Sequence, residues 1–193
     1  MRMKKVIKIL MLLSVMVVTS CSTDEDVHLV FIGDSIVARW DLEVSFPSYV
    51  VENKGVSGSG IANVANYAHK CGKKNIVVIV GTNDLGRITD ETMAEYAQSY
   101  MRQIVATDAE NIYLFSILPR KFEGDTVTIN QRIERLNALI KAESENYGNV
   151  IYIDAYSYFK RNESIDSQYS YDGLHLSPYG YEILSELLIS NLR

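Results

Sequence analysis

Three side chains of this sequence have the types and spacing that nucleophilic chemistry requires. Ser35 follows Gly33 and Asp34 directly after an apolar run, where glycine allows a sharp turn and serine can project from the end of a strand. Asp172 precedes His175 by three residues. A carboxylate at that spacing can hold one imidazole nitrogen and fix the tautomer, while the other nitrogen takes a proton from a hydroxyl. Taken alone, a Gly-Asp-Ser turn is ordinarily a helix cap, so the chemistry depends on the fold bringing these groups together.

Two further loops could stabilise a developing negative charge. The run Asn53–Gly58 is a Gly-rich turn, in which a bare backbone N–H can face an anion. The run Gly81–Asp84 contains Asn83, whose side-chain amide could donate to an oxyanion. Either loop alone is usually only a turn, and neither matches a Walker phosphate loop or a Rossmann fingerprint. The residues leave open whether Gly55 or Gly58 would supply the N–H.

Short aliphatic runs recur along the chain and predict the strands that carry these loops. The predicted strands are Val27–Ile32, Tyr49–Val51, Ile76–Val80, Asn111–Leu118 and Val150–Ile153. Several runs are continuously apolar, which is typical of strands buried on both faces of a parallel sheet. Ligands of such sheets bind outside the carboxyl ends of the strands, which is where the first three loops lie. The fourth, with Asp172 and His175, lies just before the last predicted helix.

Apolar residues at helical spacing fill the intervals between the strands. Helices are predicted over Thr89–Thr107, with Thr89 or Asp90 as the cap, and over Thr128–Asn146. A third is predicted to begin at Ser177-Pro178, and a weaker pattern covers Ser59–Lys70. Alternating strands and helices predict a three-layer α/β/α sandwich with a mostly parallel five-stranded sheet of flavodoxin-like type.

The four motifs together resemble the SGNH (GDSL-type) hydrolases. That family has a serine in a GDS motif, a glycine, an asparagine in GxND and a DxxH motif, in this order. The matching segments here are Gly33–Ser35, Asn53–Gly58, Gly81–Asp84 and Asp172–His175, and the resemblance runs from about Val27 to the C-terminus.

The resemblance implies a serine esterase that works through an acyl-enzyme. Ser35 would be the nucleophile, His175 its base and Asp172 the residue that orients the base. The backbone N–H groups of Ser35 and Gly58 and the side chain of Asn83 would form the oxyanion hole, and spacing from Asn53 favours Gly58 over Gly55. This chemistry requires no metal or cofactor, and the three histidines lack the spacing of zinc ligands. The G-x-S-x-G elbow of α/β-hydrolases is absent.

The first twenty residues differ from the rest of the chain. Four basic residues and no acidic ones precede the apolar run Ile9–Val18, which is short for a membrane span and predicts a secretory signal. Val18–Cys21 resembles a bacterial lipobox, which predicts lipidation of Cys21 and a protein anchored to a membrane in the cell envelope; the alternative is a plain secretory signal. Residues 1–20 are thus predicted to be the signal, residues 21–26 the lipidated cysteine and its tether, and residues 27–193 the hydrolase domain.

The charge and the cysteine content indicate which binding partners and which disulfides to expect. Without residues 1–20 the chain has 15 basic and 24 acidic residues, a net charge of −9, which excludes a typical nucleic-acid binder. With Cys21 lipidated, Cys71 has no intrachain disulfide partner, and its position before an apolar strand predicts a small buried side chain.

The substrate is predicted only by class. We expect a small-molecule or glycan ester as the substrate, and the first hypothesis is short-chain O-acetyl groups on carbohydrate. No long apolar segment in the sequence indicates a tunnel for a long acyl chain. Arg39 and Trp40 follow the nucleophile, and Tyr169 and Tyr171 flank the acid–base loop; Trp40 and Tyr171 are the candidates for the substrate pocket. The alternatives are a lysophospholipase or acyl thioesterase of the same family, a catalytically silent binding module, and, on fold alone, a flavodoxin-like cofactor binder.

Overall fold

The fold was analysed in a computed structural model, which describes residues 27–72 and 74–193. The predicted signal segment, Cys21 and the tether lie outside the described residues. Within these ranges no helix combines the length and apolar character that crossing a bilayer requires.

Five parallel strands form one sheet in the order β2-β1-β3-β4-β5. The strands are β1 (His28–Gly33), β2 (Val50–Gly55), β3 (Asn75–Ile79), β4 (Ile112–Phe115) and β5 (Val150–Ile153). This is the order of doubly wound flavodoxin-like sheets, in which ligands bind at the carboxyl edge. The loops that follow β1, β2 and β3 leave the sheet at that edge, and the fourth loop reaches it through a contact between His175 and Ser35. A short antiparallel pair, β6 (Lys160–Arg161) and β7 (Ser164–Ile165), lies outside the main sheet.

Helices cover both faces of the sheet and bury its alternating side chains. The helices are α1 (Ser35–Ala38), α2 (Leu42–Ser45), α3 (Ala62–Ala65), α4 (Met93–Val105), α5 (Thr126–Ser144), α6 (Ala155–Phe159) and α7 (Pro178–Ile189), with a 3-10 helix at Thr82–Arg87. Helices α3, α4 and α5 pack on one face, against residues such as Ile32 and Val78. Helices α1, α2, α6 and α7 pack on the other, against residues such as Phe31 and Ile79. The predicted three-layer α/β/α sandwich is confirmed.

Most predicted elements are present, with shifted ends. The strand predicted at Val150–Ile153 has those bounds, and Ser177 caps α7 by accepting from the Gly180 N–H at 3.1 Å. Cys71 is buried, as predicted, with an exposed fraction of 5%. The strand predicted over Asn111–Leu118 ends at Phe115.

Two predictions about helices are wrong. The helix expected over Ser59–Lys70 is reduced to the single turn of α3, because the loop before it is held by tertiary hydrogen bonds described below. Neither Thr89 nor Asp90 caps α4. The Thr89 N–H donates instead to the Thr92 hydroxyl at 2.9 Å in a turn of its own, and the helix begins at Met93.

Candidate active site

Ser35, His175 and Asp172 are joined by a continuous chain of hydrogen bonds, although 140 residues separate the first two. Ser35 Oγ lies 3.1 Å from His175 Nε2, and His175 Nδ1 lies 2.7 Å from Asp172 Oδ2. The other carboxylate oxygen accepts from the backbone N–H groups of Leu174 at 2.9 Å and His175 at 2.7 Å. The imidazole and these N–H groups hold the pKa of Asp172 well below its ordinary value. The carboxylate therefore stays ionised and can orient the imidazole and stabilise its protonated form.

The turn between β1 and α1 places Ser35 at the edge of the sheet. A Cβ on Gly33 would lie 2.1 Å from the carbonyl oxygen of Ile79, so only glycine lets β1 lie this close to β3. Asp34 is the N-cap of α1, and its Oδ1 accepts from the Ile36 N–H at 2.9 Å. The cap thus provides an acceptor for the N–H of Ile36, the second residue of the helix. The N–H of Ser35, the first, has no acceptor among the residues described and is available to a ligand.

The second loop distinguishes Gly55 from Gly58. The Gly55 N–H already donates to Asn53 Oδ1 at 2.9 Å, while the Asn53 amide donates to the Val37 carbonyl at 2.8 Å. Asn53 therefore fixes the end of β2 against α1. Gly58 is exposed in a turn with φ of +77°, and no acceptor for its N–H occurs in the described part of the chain. Gly58 is the glycine with a free donor.

Asn83 joins the second and third loops. Its Nδ2 donates to the Ser59 carbonyl at 2.8 Å, and this bond uses one of its two amide protons. Ser59 Oγ in turn donates to the Gly33 carbonyl at 3.2 Å. The loops that carry Ser35, Gly58 and Asn83 are therefore linked by hydrogen bonds, and the second amide proton of Asn83 is left for another acceptor.

Asp84 fixes this arrangement from beneath and was not singled out in the sequence. Its Oδ2 accepts from the Ile61 N–H and from the Tyr96 hydroxyl, both at 2.8 Å. Burial is the main cause of a strongly raised pKa at Tyr96, so the phenol remains a donor. Asn63 adds a bond from its amide to the Gly33 carbonyl at 3.0 Å. No sequence spacing indicates these long-range contacts.

Asp34 is the second site residue that sequence reasoning missed. It is 1% exposed, and its Oδ2 has no partner among the described residues. Burial raises the pKa of this carboxyl to about 6, although the Ile36 N–H and His175 act in the opposite direction. A buried carboxyl with a raised pKa is therefore the immediate chain neighbour of Ser35.

A cavity of about 380 Å³ opens beside His175. Tyr171, 72% exposed, forms part of its rim, whereas Trp40 is 3% exposed and forms part of its floor. Trp40 packs against Phe31 and Tyr181, with ring centroids 5.3 and 5.7 Å apart, and its indole N–H donates to Ser45 Oγ at 3.0 Å. Both predicted pocket residues thus line one cavity, and Trp40 also belongs to the core.

The remaining histidines and Tyr169 lie outside this constellation. His69 contacts Asp108 in an exposed pair near the amino end of β4, and His28 begins β1 at the opposite edge of the sheet from Ser35. Tyr169 stacks on Phe159 and Tyr179, with centroid distances of 5.0 and 5.4 Å, which is a packing role.

Comparison with protein families identifies the chain. The model of the GDSL-like Lipase/Acylhydrolase family matches residues 31–183, which include all four motifs. This chain belongs to the GDSL-like lipase/acylhydrolase family. This membership agrees with the resemblance of the four motifs to the SGNH (GDSL-type) hydrolases.

Individual relatives of this family member differ in length and activity. The O-acetyltransferase OatA of Staphylococcus aureus (strain NCTC 8325 / PS 47) is 31% identical over 128 residues, which cover 66% of this chain and 17% of that protein. The chain therefore spans under a fifth of the length of the curated relatives it matches.

Solved structures share the fold. A GDSL-like lipase from Bacteroides thetaiotaomicron VPI-5482 is 22% identical, with a TM-score of 0.66 and coverage of 84% of this chain and 86% of that chain. An acetyl xylan esterase from Geobacillus stearothermophilus is 19% identical, with a TM-score of 0.61 and coverage of 84% and 93%. At these identities the likeness concerns the fold.

Proposed function

We propose that this protein is a serine esterase that removes short acyl groups, above all acetyl, from carbohydrate. The observation that carries the proposal is the chain of hydrogen bonds from Ser35 through His175 to Asp172, beside backbone N–H groups of Ser35 and Gly58 that have no acceptor in residues 27–72 and 74–193. A nucleophile, its base and free donors at one sheet edge are the parts that acyl transfer to water requires.

In the proposed mechanism, Ser35 Oγ attacks the ester carbonyl carbon while its proton passes to His175 Nε2. The carbonyl electrons move to the oxygen, which accepts hydrogen bonds from Ser35 N–H, Gly58 N–H and the amide of Asn83. As the tetrahedral intermediate collapses, the proton on Nε2 passes to the departing alcohol oxygen. Water then attacks the acyl-serine with His175 again as base, which releases the acid and restores Ser35.

The preference for acetyl on carbohydrate has support from relatives. The 31% identical relative is named as an O-acetyltransferase, and a protein of the same fold is named as an acetyl xylan esterase. The first name favours a second candidate activity, in which a sugar hydroxyl instead of water accepts the acyl group from Ser35.

We also propose an exported protein anchored by lipid on Cys21. His28, which begins β1, lies at the amino edge of the sheet, and Ser35 lies beyond its carboxyl edge. A chain anchored ahead of β1 would thus direct its active site away from the membrane surface. This orientation favours a wall or soluble glycan over a lipid of the same bilayer.

An acyl-chain series tests the substrate class. We expect turnover of p-nitrophenyl esters to fall from acetate to octanoate, with Ser35→Ala as the blank for each ester. Rising turnover toward octanoate would favour the lysophospholipase or thioesterase alternative. Absence of labelling of the wild-type protein by a fluorophosphonate probe would favour the silent binding module. Acetyl transfer to added glucoside at the expense of acetate release would favour the transferase.

A further inference from the structure

The cavity beside His175 lies on one face of the sheet, and two of the three proposed oxyanion donors, Gly58 and Asn83, lie toward the other. Its walls come from the α1–α2 segment, from the loop around His175 and from the first turn of α7, and neither Gly58 nor Asn83 contributes to it. The loops that carry Gly58 and Asn83 are held instead by Asp84, Ile61 and α4, on the opposite layer.

This placement assigns the cavity to one half of the ester. In the tetrahedral intermediate the oxyanion must face its hydrogen-bond donors, and the departing oxygen must lie within reach of the proton on His175 Nε2. The alcohol therefore leaves on the His175 side, where the cavity opens. The acyl group is directed elsewhere.

We propose that this cavity binds the alcohol half of the ester and that this alcohol is an uncharged pyranose; the inference rests on the esterase function proposed above. Sugar rings present C–H faces, which pack on aromatic side chains, and hydroxyls, which both donate and accept. The cavity offers aromatic surface from Tyr171 and Tyr181 and charged groups of both signs from Arg39 and Glu182. Its volume of about 380 Å³ is near the lower end of small-molecule sites, which span roughly 300–1,000 Å³.

The polar groups at the rim are free to bind hydroxyls. Arg39 and Glu182 are exposed, and neither makes an ion pair with any described residue. The Tyr181 hydroxyl, by contrast, already donates to the Ile36 carbonyl at 2.9 Å, and burial raises the pKa of Tyr181 to about 12. Tyr181 is therefore a fixed wall, while Arg39 and Glu182 can adapt.

The balance of charge argues for a neutral ligand. Asp41 and Glu182 together outnumber Arg39 in the lining. Except while His175 holds the Ser35 proton, a phosphate or carboxylate on the alcohol would meet more negative than positive charge, which disfavours a phospholipid headgroup. A neutral sugar meets no such repulsion.

The test separates the alcohol half from the acyl half. Acetate release is measured from a panel of methyl glucopyranosides carrying one acetyl group, at O2, O3, O4 or O6, and from ethyl acetate, whose alcohol is small. For wild type we expect a higher kcat/KM on at least one glucoside than on ethyl acetate. In Tyr171→Ala that ratio should fall about three- to tenfold, mainly through KM, since the loss is one aromatic stacking contact.

Matched variants keep the result interpretable. Tyr171→Phe keeps the ring and should keep the ratio, and Tyr158→Ala removes a tyrosine that is 62% exposed on α6 and outside the cavity. Val44 lines the cavity and is 75% exposed, so Val44→Trp should fill the cavity. This variant should lower the same ratio while Tyr171 is still present.

Two kinds of failure are distinguishable. If wild type releases acetate from no ester, the esterase proposal itself fails. If it hydrolyses both kinds of ester but Tyr171→Ala and Val44→Trp match Tyr158→Ala, the assignment of the cavity is wrong and the esterase remains. If either variant changes the ethyl octanoate to ethyl acetate ratio instead, the cavity receives the acyl group, which also overturns the assignment.

Discussion

At the edge of the sheet, the roles of some residues can be predicted from the sequence, and the roles of others depend on their burial in the fold. Asp172 and His175 were predicted to pair because their three-residue spacing brings the carboxylate to the ring. The sequence leaves Gly55 and Gly58 open as oxyanion donors, and a contact favours Gly58, since the Gly55 N–H donates to Asn53. In the sequence Asp34 is only part of a turn, and its buried oxygen, which has no partner among the described residues, depends on packing that no local pattern encodes.

Asn83→Ala tests the proposed oxyanion donor. We expect kcat for p-nitrophenyl acetate to fall about 10²–10³-fold with little change in KM, because the lost bond strengthens as negative charge develops on the oxygen. Asn66→Ala, at an exposed asparagine just after α3, is the matched control and should keep full activity. An unchanged kcat in Asn83→Ala would remove this residue from the oxyanion site.

Asp34→Asn tests the buried acid through the pH dependence of stability. Because the folded-state pKa of about 6 exceeds the ordinary value of 3.8, the native state binds this proton more tightly than the unfolded chain. The contribution of Asp34 to stability is therefore fully present below pH 3.8 and is lost as pH rises through 6.

The measurement is the free energy of unfolding in urea for wild type and Asp34→Asn from pH 4 to pH 7.5. Relative to the variant, wild type should lose up to about 3 kcal/mol across this range. A difference between the two proteins that stays constant with pH would show that Asp34 does not titrate in this way.

Elements were predicted where one periodicity dominates and missed where side chains bond across the fold. The continuous apolar runs of β1 and β3 and the Ser-Pro start of α7 give unambiguous signals. The stretch after Gly58 has a helical pattern, yet bonds from Ser59 and Asn63 to the Gly33 carbonyl hold it as a loop with one helical turn. A local sequence pattern does not show that such long-range hydrogen bonds compete with helix formation.

Asn137→Ala tests how α5 is joined to the segment after β4. Asn137 is 6% exposed, and its side chain accepts from the Ile117 N–H at 2.9 Å and donates to the Ile117 carbonyl at 2.8 Å. Removing it leaves two buried backbone groups unpaired, which should lower the free energy of unfolding by about 2–4 kcal/mol. Asn146→Ala, at an exposed asparagine just beyond the same helix, should change it by less than about 0.5 kcal/mol. Equal values for the two variants would contradict this account.

At the scale of the whole molecule, the start of β1 and the candidate active site lie at opposite edges of the parallel sheet. The parallel sheet and the convergence of four loops on one edge follow from the alternation of strands and helices, whereas the order of the strands comes from the structure. The cavity beside His175 could not be predicted in this way, because its lining combines residues 39–45 with residues 171–182. Sequence proximity to a motif indicated Trp40 and Tyr171, but Tyr181 and Glu182 meet them only through the packing of α7 beside α1 and α2.

Cys21→Ala tests the proposed anchor. Without the thiol that would carry lipid, the protein should move from the detergent phase to the aqueous phase in Triton X-114 partitioning. The proposed esterase activity should be retained, because Cys21 precedes every residue of the candidate active site. Equal partitioning of wild type and variant would show that Cys21 does not anchor the protein.

The central claim is that Ser35 carries the acyl group. The most direct measurement is turnover of p-nitrophenyl acetate by purified wild type and Ser35→Ala, with thermal unfolding followed in parallel. We predict that the variant loses at least about 10³-fold in kcat, since the nucleophile acts as a unit with His175 and Asp172, while its Tm stays within a few degrees of wild type. Undiminished hydrolysis by a folded Ser35→Ala protein would contradict the account.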